Sequence, residues 1–426
     1  MPLNLASPGI VVREVDLTAG RVDPTSDAVG AIVAPFAQGP VNEPVLVTNE
    51  QELLNTFGNP YSVDKHYESW MVASSFLAYG GSLQVVRSDD TDLKNAFSGS
   101  GTAPKIKSYE DYVNLGYDEN LVAGVTVAAR SPGSWANGIK VALVDAKVDQ
   151  TLGINTTGLA VGYGVTQAIT STLPGTGTTS VLGGELKGVI TEIGTGTIGV
   201  KVLSYIPTGG TATNVDYQPS GVYLFGTTGD LTATNNSNIG VSTTAVTTAA
   251  DWFSNQSITL SNSTIAWNTL ADRPSTSNYT STRGGRFDEV HVVVIDDAGT
   301  VTGNAGTILE KHLGLSKAKD AEFSLGSPSY WRKYLASNSE YIFGGSAPVG
   351  IVTTGLAADG YSQASGTSWD QNAANVTFAA TGSTVLTLAD GKNYDGTNDI
   401  TATGALTPGL DDIVSGYTLF ENTENY

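Results

Sequence analysis

The chain contains no cysteine, which excludes disulfide staples, thiolate zinc sites and cysteine nucleophiles. Histidine is nearly absent: only His66, His291 and His312 occur, too few for a histidine-rich metal centre. Basic residues are also scarce, 21 against 41 acidic ones, for a formal charge of −20. Nucleic-acid binding is driven by Lys and Arg displacing counterions, so no general phosphate-binding surface and no direct nucleic-acid partner is expected. No apolar run approaches the roughly 18 residues needed to cross a bilayer, and stable membrane insertion is not expected. The opening MPLNLASPGI lacks the basic stretch and apolar run of a secretory signal, so synthesis in the cytosol is the expectation. Charged residues are only 15% of the chain, against about 25% in ordinary soluble domains.

What remains is Ser, Thr, Asn and Gly on a chain of 426 residues, long enough for about three domains. The composition shifts sharply in the middle. Between Thr151 and Leu270 stand 26 threonines and 18 glycines but only seven charged residues: Glu185, Lys187, Glu192, Lys201, Asp216, Asp230 and Asp251. Threonine suits a pleated, half-exposed surface and glycine permits tight turns, so the block reads as short strands and hairpins. Its neighbours read as mixed α/β. Ala28 to Pro35 is a short apolar run between turn formers, as a buried strand would be. Thr48 opens a helix through the capping-box spacing Thr48-Asn49-Glu50-Gln51, with Leu53, Leu54 and Phe57 on its apolar face and Gly58 and Pro60 ending it. A second helix runs from about His66 to Tyr79, with Tyr67, Trp70, Met71 and Leu77 on one side. Leu83 to Arg87 then reads as a strand. After the Thr/Gly block, Asp288 to Ile295 is a second buried-strand pattern, Asn304 to Leu313 a helix pattern, and Asp411 to Phe420 a helix approaching a strand. The fold class is therefore mixed α+β and multidomain, with an inserted all-β outer domain.

Catalytic signals are weak. Asp390 to Gly396 (DGKNYDG) resembles a calcium loop, but the ligand register fails and no glutamate closes it, so it reads as an acidic turn. No phosphate-binding loop and no Gly-x-Ser-x-Gly elbow occurs. His291, flanked by Asp288, Glu289, Asp296 and Asp297, is the histidine most like a base, yet it opens an apolar strand where a hydrogen-bonded structural histidine is commoner. His66 and His312 fall on helix patterns and read as partly exposed. No catalytic residue, metal ligand or cofactor is assigned. Tyr205, Tyr217, Tyr223, Phe225, Trp252 and Trp267 in the Thr/Gly block would be the contacts of a receptor- or glycan-binding module, and core packing explains them as readily.

The first sixteen residues carry the strongest local pattern. Pro8 and Gly9 disfavour helix, and the β-forming run Ile10, Val11, Val12, Arg13, Glu14, Val15 follows with two unlike faces. A polar linker, Asp16 to Asp27, separates it from the next strand. It is either an edge strand of its own domain or a tethered arm that adds to a neighbouring subunit's sheet, where backbone hydrogen bonds give affinity and alternate side chains give register.

The residues also resemble the sheath proteins of contractile phage tails, in particular the large-phage myovirus subgroup. Ser7 to Val15 is similar to that family's N-terminal arm. Val29 to Val33 followed by Gln38 to Pro44 (QGPVNEP) resembles its first strand and loop. Phe57 to Pro60, Phe76 to Gly81 leading into Val85 to Arg87, and Ser131 to Gly138 (SPGSWANG) continue in the same order. Asp288 to His291 and Tyr330 to Arg332 are similar to further stretches. The Thr/Gly block fits the variable outer domain that such proteins insert. The resemblance implies an arm over 1–22, an α/β sheath domain over 23–149 and 284–400, an inserted outer domain over 150–283, and the start of a C-terminal sheath domain, most of which is missing, over 401–426. It further implies a structural protein of the virion, assembled in the host cytoplasm, whose partners are copies of itself in hexameric rings, the tail tube, the baseplate and the tail terminator. The implied inter-subunit residues are Pro8, Gly9, Ile10, Val11, Val12, Arg13, Glu14 and Val15. With the C-terminal part missing, residues 1–426 alone are expected to stay as monomers or small oligomers.

Overall fold

The computed structural model describes residues 29–60, 67–119, 122–169, 184–215, 224–226, 231–234, 240–243, 248–353, 363–394 and 410–421. The arm residues Pro8 to Val15, His66, Tyr217 and Tyr223 lie outside this set. The architecture is mixed α+β, with helices and several separate sheets.

The body is built on an antiparallel sheet in the order Thr307–Ser316, Glu289–Asp296, Ile139–Asp145, Thr384–Thr387. Its two middle strands are buried nearly throughout, which explains why Asp288 to Ile295 reads as a continuous apolar run and not as an alternating one. Val141, Leu143, Val290, Val292 and Val294 face a core containing Trp135, Trp331, Leu335 and Trp369. Ala142, Val144, Val293 and Ile295 face the other way, onto Trp252, Phe253, Ile258, Leu260 and Trp267. The stretch after Asp251 thus packs on the body sheet.

The helix expected over Asn304 to Leu313 is a strand. Thr307–Ser316 pairs with Glu289–Asp296 from Asp296↔Thr307 to Glu289↔Ser316. Ile308, Leu309, Leu313 and Leu315 satisfy either period over so short a run, and the preceding loop decides. Asp296 Oδ1 accepts from Thr300 N–H, and its Oδ2 from Val301 N–H, Thr302 N–H and Thr302 Oγ1. That carboxylate folds the loop back on itself and returns the chain beside the strand it has just left. His312 is consequently buried on a strand, not partly exposed on a helix.

A smaller unit precedes the body. Val29–Ala34 pairs in parallel with Ser82–Arg87, whose other edge takes Val45–Val47 antiparallel. A parallel pair needs a crossover, here the helices Glu50–Phe57 and Tyr67–Leu77, which cover one sheet face through Leu53, Phe57, Trp70 and Leu77. The first helix starts one residue later than the capping box predicted. Asn49 is its cap, accepting from Glu52 N–H, while Glu52 Oε2 accepts from Thr48 N–H and Oγ1 at 2.8 Å. Gly58 ends it at φ 80°, a conformation that costs glycine little. Met71 faces solvent and not the core. The last described helix, Leu410–Thr418, rests on this unit through Gly416, where a side-chain carbon would collide with Val33.

The Thr/Gly-rich block forms strands that join one eight-stranded sheet, from Gly240–Thr243 at one edge to Thr248–Asp251 at the other. Leu152, Val165, Leu186, Ile190, Ile198, Val200, Tyr205, Phe225 and Leu231 form its core. The chain enters along Gln150–Gly153 and leaves along Thr248–Asp251, and Gln150 and Asp251 are partners across those strands. A short turn can therefore replace residues 151–250. That deletion is expected to keep one cooperative thermal transition by circular dichroism. Deleting 151–270 instead strips five large apolar side chains from the body, at roughly 1.5–3 kcal/mol each, and is expected to unfold it. Equal melting of the two deletions would contradict this packing.

Candidate assembly surface

The QGPVNEP and SPGSWANG stretches and the Asp390 turn converge on one knot. Arg87, fully buried at the end of its strand, donates from Nη1 to Gly39 O (2.9 Å) and from Nη2 to Ala37 O (3.3 Å). Its guanidinium lies 5.8 Å from the centre of the Tyr394 ring, and the Tyr394 hydroxyl donates to Ser88 O. Gly39 N–H donates to Ser131 Oγ, and Ser134 N–H to Asn393 Oδ1. Asn137 and Gly391 exchange two hydrogen bonds, of 3.0 and 2.9 Å. At Gly133 (φ 137°) a side chain would stand 2.7 Å from Ala37 O, so the close approach of these segments requires glycine. QGPVNEP, SPGSWANG and the Asp390 turn are thus scaffold, tying the small unit to the body.

On that unit the apolar surface is uncovered. Val29 (66% exposed) and Leu46 lie on the small sheet, Met71 and Val72 on the outer side of the second helix, and Tyr79 (93%) just beyond it. Leu410, Val414 and Tyr417, spaced i, i+4, i+7, form an exposed stripe along the last helix, which is one face of a helix. These eight are nearly half of the exposed large apolar residues among the described residues. Exposed apolar side chains concentrated on one unit in this way are the material from which interaction surfaces are built. Of these, Val29 opens the strand that follows the polar linker Asp16 to Asp27 in sequence. The arm residues themselves lie outside the described set.

The candidates for chemistry prove structural. His291 Nδ1 accepts from Gly314 N–H and its Nε2 donates to Asp272 O, at 2.9 and 2.8 Å. Burial holds its pKa below the ordinary value near 6.5. The flanking acids are engaged elsewhere: Asp288 by Ser277 and Ser316, Asp297 by Ser261 and Lys140. Glu289, in the wall of an open cleft of about 490 Å³ that Tyr279, Arg283 and Phe323 also line, accepts from Ser275 N–H, and burial raises its pKa. No group of three metal-ligating side chains occurs among the described residues. Tyr205, Phe225, Trp252 and Trp267 are buried, so core packing accounts for the four described aromatics of a binding-module reading.

Sequence reasoning missed the charges at the root of the outer module. Asp149 Oδ1 accepts from Lys201 Nζ (3.0 Å) and Arg273 Nη2 (2.9 Å), and Oδ2 accepts from Val202 N–H. Burial pushes the Lys201 ammonium down to about 8, against the pull of Asp149. In the body, Lys317 Nζ meets Asp145 Oδ2 at 2.9 Å with both side chains fully buried. Lone charged residues in a charge-poor sequence give no sign of such pairing, because partners far apart in sequence meet only in space.

No family model matches the chain. It is 39% identical over 90 residues to the tail sheath protein of Enterobacteria phage T4, covering 21% of this chain and 13% of that one. It is 26% identical over 366 residues to the tail sheath protein of Salmonella phage ViI, covering 83% of this chain and 52% of that one. The chain thus spans about half the length of the longer-matched relative and far less of the other. Among solved structures, the sheath tail protein Lin1278 from Listeria innocua overlaps 46% of this chain at 13% identity with a TM-score of 0.18, too slight a superposition to bear on the fold. Along most of its length, then, the chain is similar to phage tail sheath proteins.

Two outcomes test the buried charges. Asp149→Ala leaves Lys201 and Arg273 without their shared carboxylate and is expected to cost about 3–5 kcal/mol in urea denaturation. Lys201→Met leaves Asp149 held by Arg273 and Val202 N–H and is expected to cost about 1 kcal/mol. For His291, the unfolded chain takes up a proton more readily than the fold. Its contribution is therefore present above about pH 6.5 and is lost as pH falls through the lower folded-state value. Melting temperature is expected to fall between pH 7 and pH 5, and His291→Gln to flatten that slope.

Proposed function

We propose that this chain is a structural subunit of a contractile tail sheath, with no catalytic role. The observation that carries the reading is the 366-residue similarity to a tail sheath protein. In this reading, copies stack as hexameric rings around the tail tube, bounded by the baseplate and the tail terminator. Contraction to a lower-energy lattice drives the tube through the host envelope, a two-state rearrangement of packed subunits. The particle is a virion, assembled in the host bacterial cytoplasm. The uncovered apolar surface of the small unit supports the reading, because a polymer must bury surface that a monomer leaves open. The boundaries 1–22, 23–149, 150–283, 284–400 and 401–426 serve as its domain scheme, with the sheet-forming part up to Asp251 outermost and the stretch from Trp252 to Trp267 returned onto the body.

The arm supplies the connection between subunits. Pro8 and Gly9 set it apart from helix, and Ile10 to Val15 pair with a partner's sheet edge. Burying Ile10 and Val12 contributes roughly 1.5–3 kcal/mol each, repeated at every subunit. Electron microscopy of purified particles is the first test: helical striations carrying this chain support a sheath, whereas fibres or tail tips carrying it support an adhesin. Val12→Pro tests the arm, since proline removes a ladder donor. The substitution is expected to leave the melting temperature of residues 1–426 unchanged and to abolish incorporation of the chain into helically striated particles. A melting temperature lowered by several degrees would make Ile10 to Val15 an internal strand.

A further inference from the structure

The chain crosses between body and outer module twice, and one arginine staples both crossings. Arg273 Nη2 donates to Val148 O and to Asp149 Oδ1, while Nη1 donates to Asp149 O (3.1 Å) and Asp251 Oδ1 (2.7 Å). Arg286 and Phe287, on the approach to the Glu289–Asp296 strand, make a second attachment. Arg286 keeps its backbone in the body, donating from N–H to Val376 O and accepting from Phe378 N–H. Its Nη2 reaches the module, donating to Leu203 O (3.3 Å) and Val215 O (2.8 Å).

Phe287 is only 2% exposed and holds φ at 61°, a left-handed conformation that is a genuine outlier for a bulky side chain. Such a conformation persists only where the surroundings over-determine it, and here they do. The Arg286 guanidinium lies 4.6 Å from the ring centre and Lys201 Nζ, from the module, 4.0 Å. The ring also packs with Ala146 of the body and with Val189 and Leu203 of the module. Its N–H donates to Thr276 Oγ1 and its carbonyl accepts from Lys317 Nζ, the body's buried cation. Phe287 is gripped from both sides of the junction. Among the described residues, the apolar cluster that Phe287 joins there has four members, whereas the module and the body each have a core of their own.

We propose that Arg286 and Phe287 form a latch holding the outer module in one orientation, and that releasing it lets the module pivot about the crossings stapled by Arg273. Small, polar junctions between units with separate cores favour such relative motion, and the strain at Phe287 is relieved when the grip is lost. The inference does not rest on the tail-sheath reading.

The absence of cysteine makes the test direct. Thr195→Cys on an exposed hairpin of the module and Lys319→Cys on the exposed body surface accept one spin label each, and pulsed electron paramagnetic resonance reads the distance between them in the protein of residues 1–426. The parent is expected to give one narrow distance. Arg286→Ala and Phe287→Asn, the latter because asparagine tolerates a left-handed backbone, are each expected to broaden it or add a second distance while circular dichroism stays that of the parent. A narrow, unshifted distance in both variants overturns the latch. So does loss of the folded spectrum in either variant, which would make module and body one folding unit.

Discussion

The pairing of Ile139–Asp145 with Glu289–Asp296 constrains everything else. The strands lie far apart in sequence, yet run side by side from Val290↔Asp145 to Asp296↔Ile139, and both faces of the pair are covered by aromatic-rich cores. A sheet buried on both faces must be entered and left at its ends. All the chain between Asp145 and Glu289 is therefore an excursion that starts and finishes at one end of this pair. The outer module is that excursion made into a sheet, closed at its root by Gln150 opposite Asp251, and the stretch from Trp252 to Trp267 is its return onto the body.

Because the excursion has its own core, little apolar surface is left to orient it. Charge takes over that task. Lys317 with Asp145, Asp149 with Lys201 and Arg273, and Arg286 against module carbonyls all lie in or beside the junction. Buried ions are costly to desolvate, and apolar replacements are often as stable. What they supply is direction: a carboxylate accepting from two cations and a backbone N–H fits one arrangement of the strands around it, whereas apolar contact tolerates several.

At the other end of the molecule the balance is reversed. The small three-stranded unit is fixed to the body by hydrogen bonds among Arg87, Gly39, Ser131, Asn137 and Asn393, and leaves Val29, Met71, Tyr79 and Val414 uncovered. A unit that is rigidly anchored but incompletely buried is suited to presenting surface, since the anchor fixes where that surface points.

The sequence by itself determined what depends on local chemistry. An apolar run marked the central strand Glu289–Asp296 but not its partner Ile139–Asp145, Gly58 marked a helix end, the threonine-rich composition marked the β module, and the absence of cysteine and the shortage of histidine removed whole classes of site. It also carried the order of the sheath-like motifs, though not that QGPVNEP and SPGSWANG close on one another. Tertiary structure decided the rest. Thr307–Ser316 is a strand because Asp296 turns the loop and a neighbour offers an edge, a pairing that outweighs the helical period of a short run. Met71 faces out because Trp70, Ala73 and Leu77 already fill the helix's inner face. His291 is structural because Gly314 and Asp272 take both ring nitrogens, and Phe287 is held left-handed by two cations and Lys317. Such contacts join residues distant in the chain, and the free energy that fixes them exists only once the sheets have brought them together.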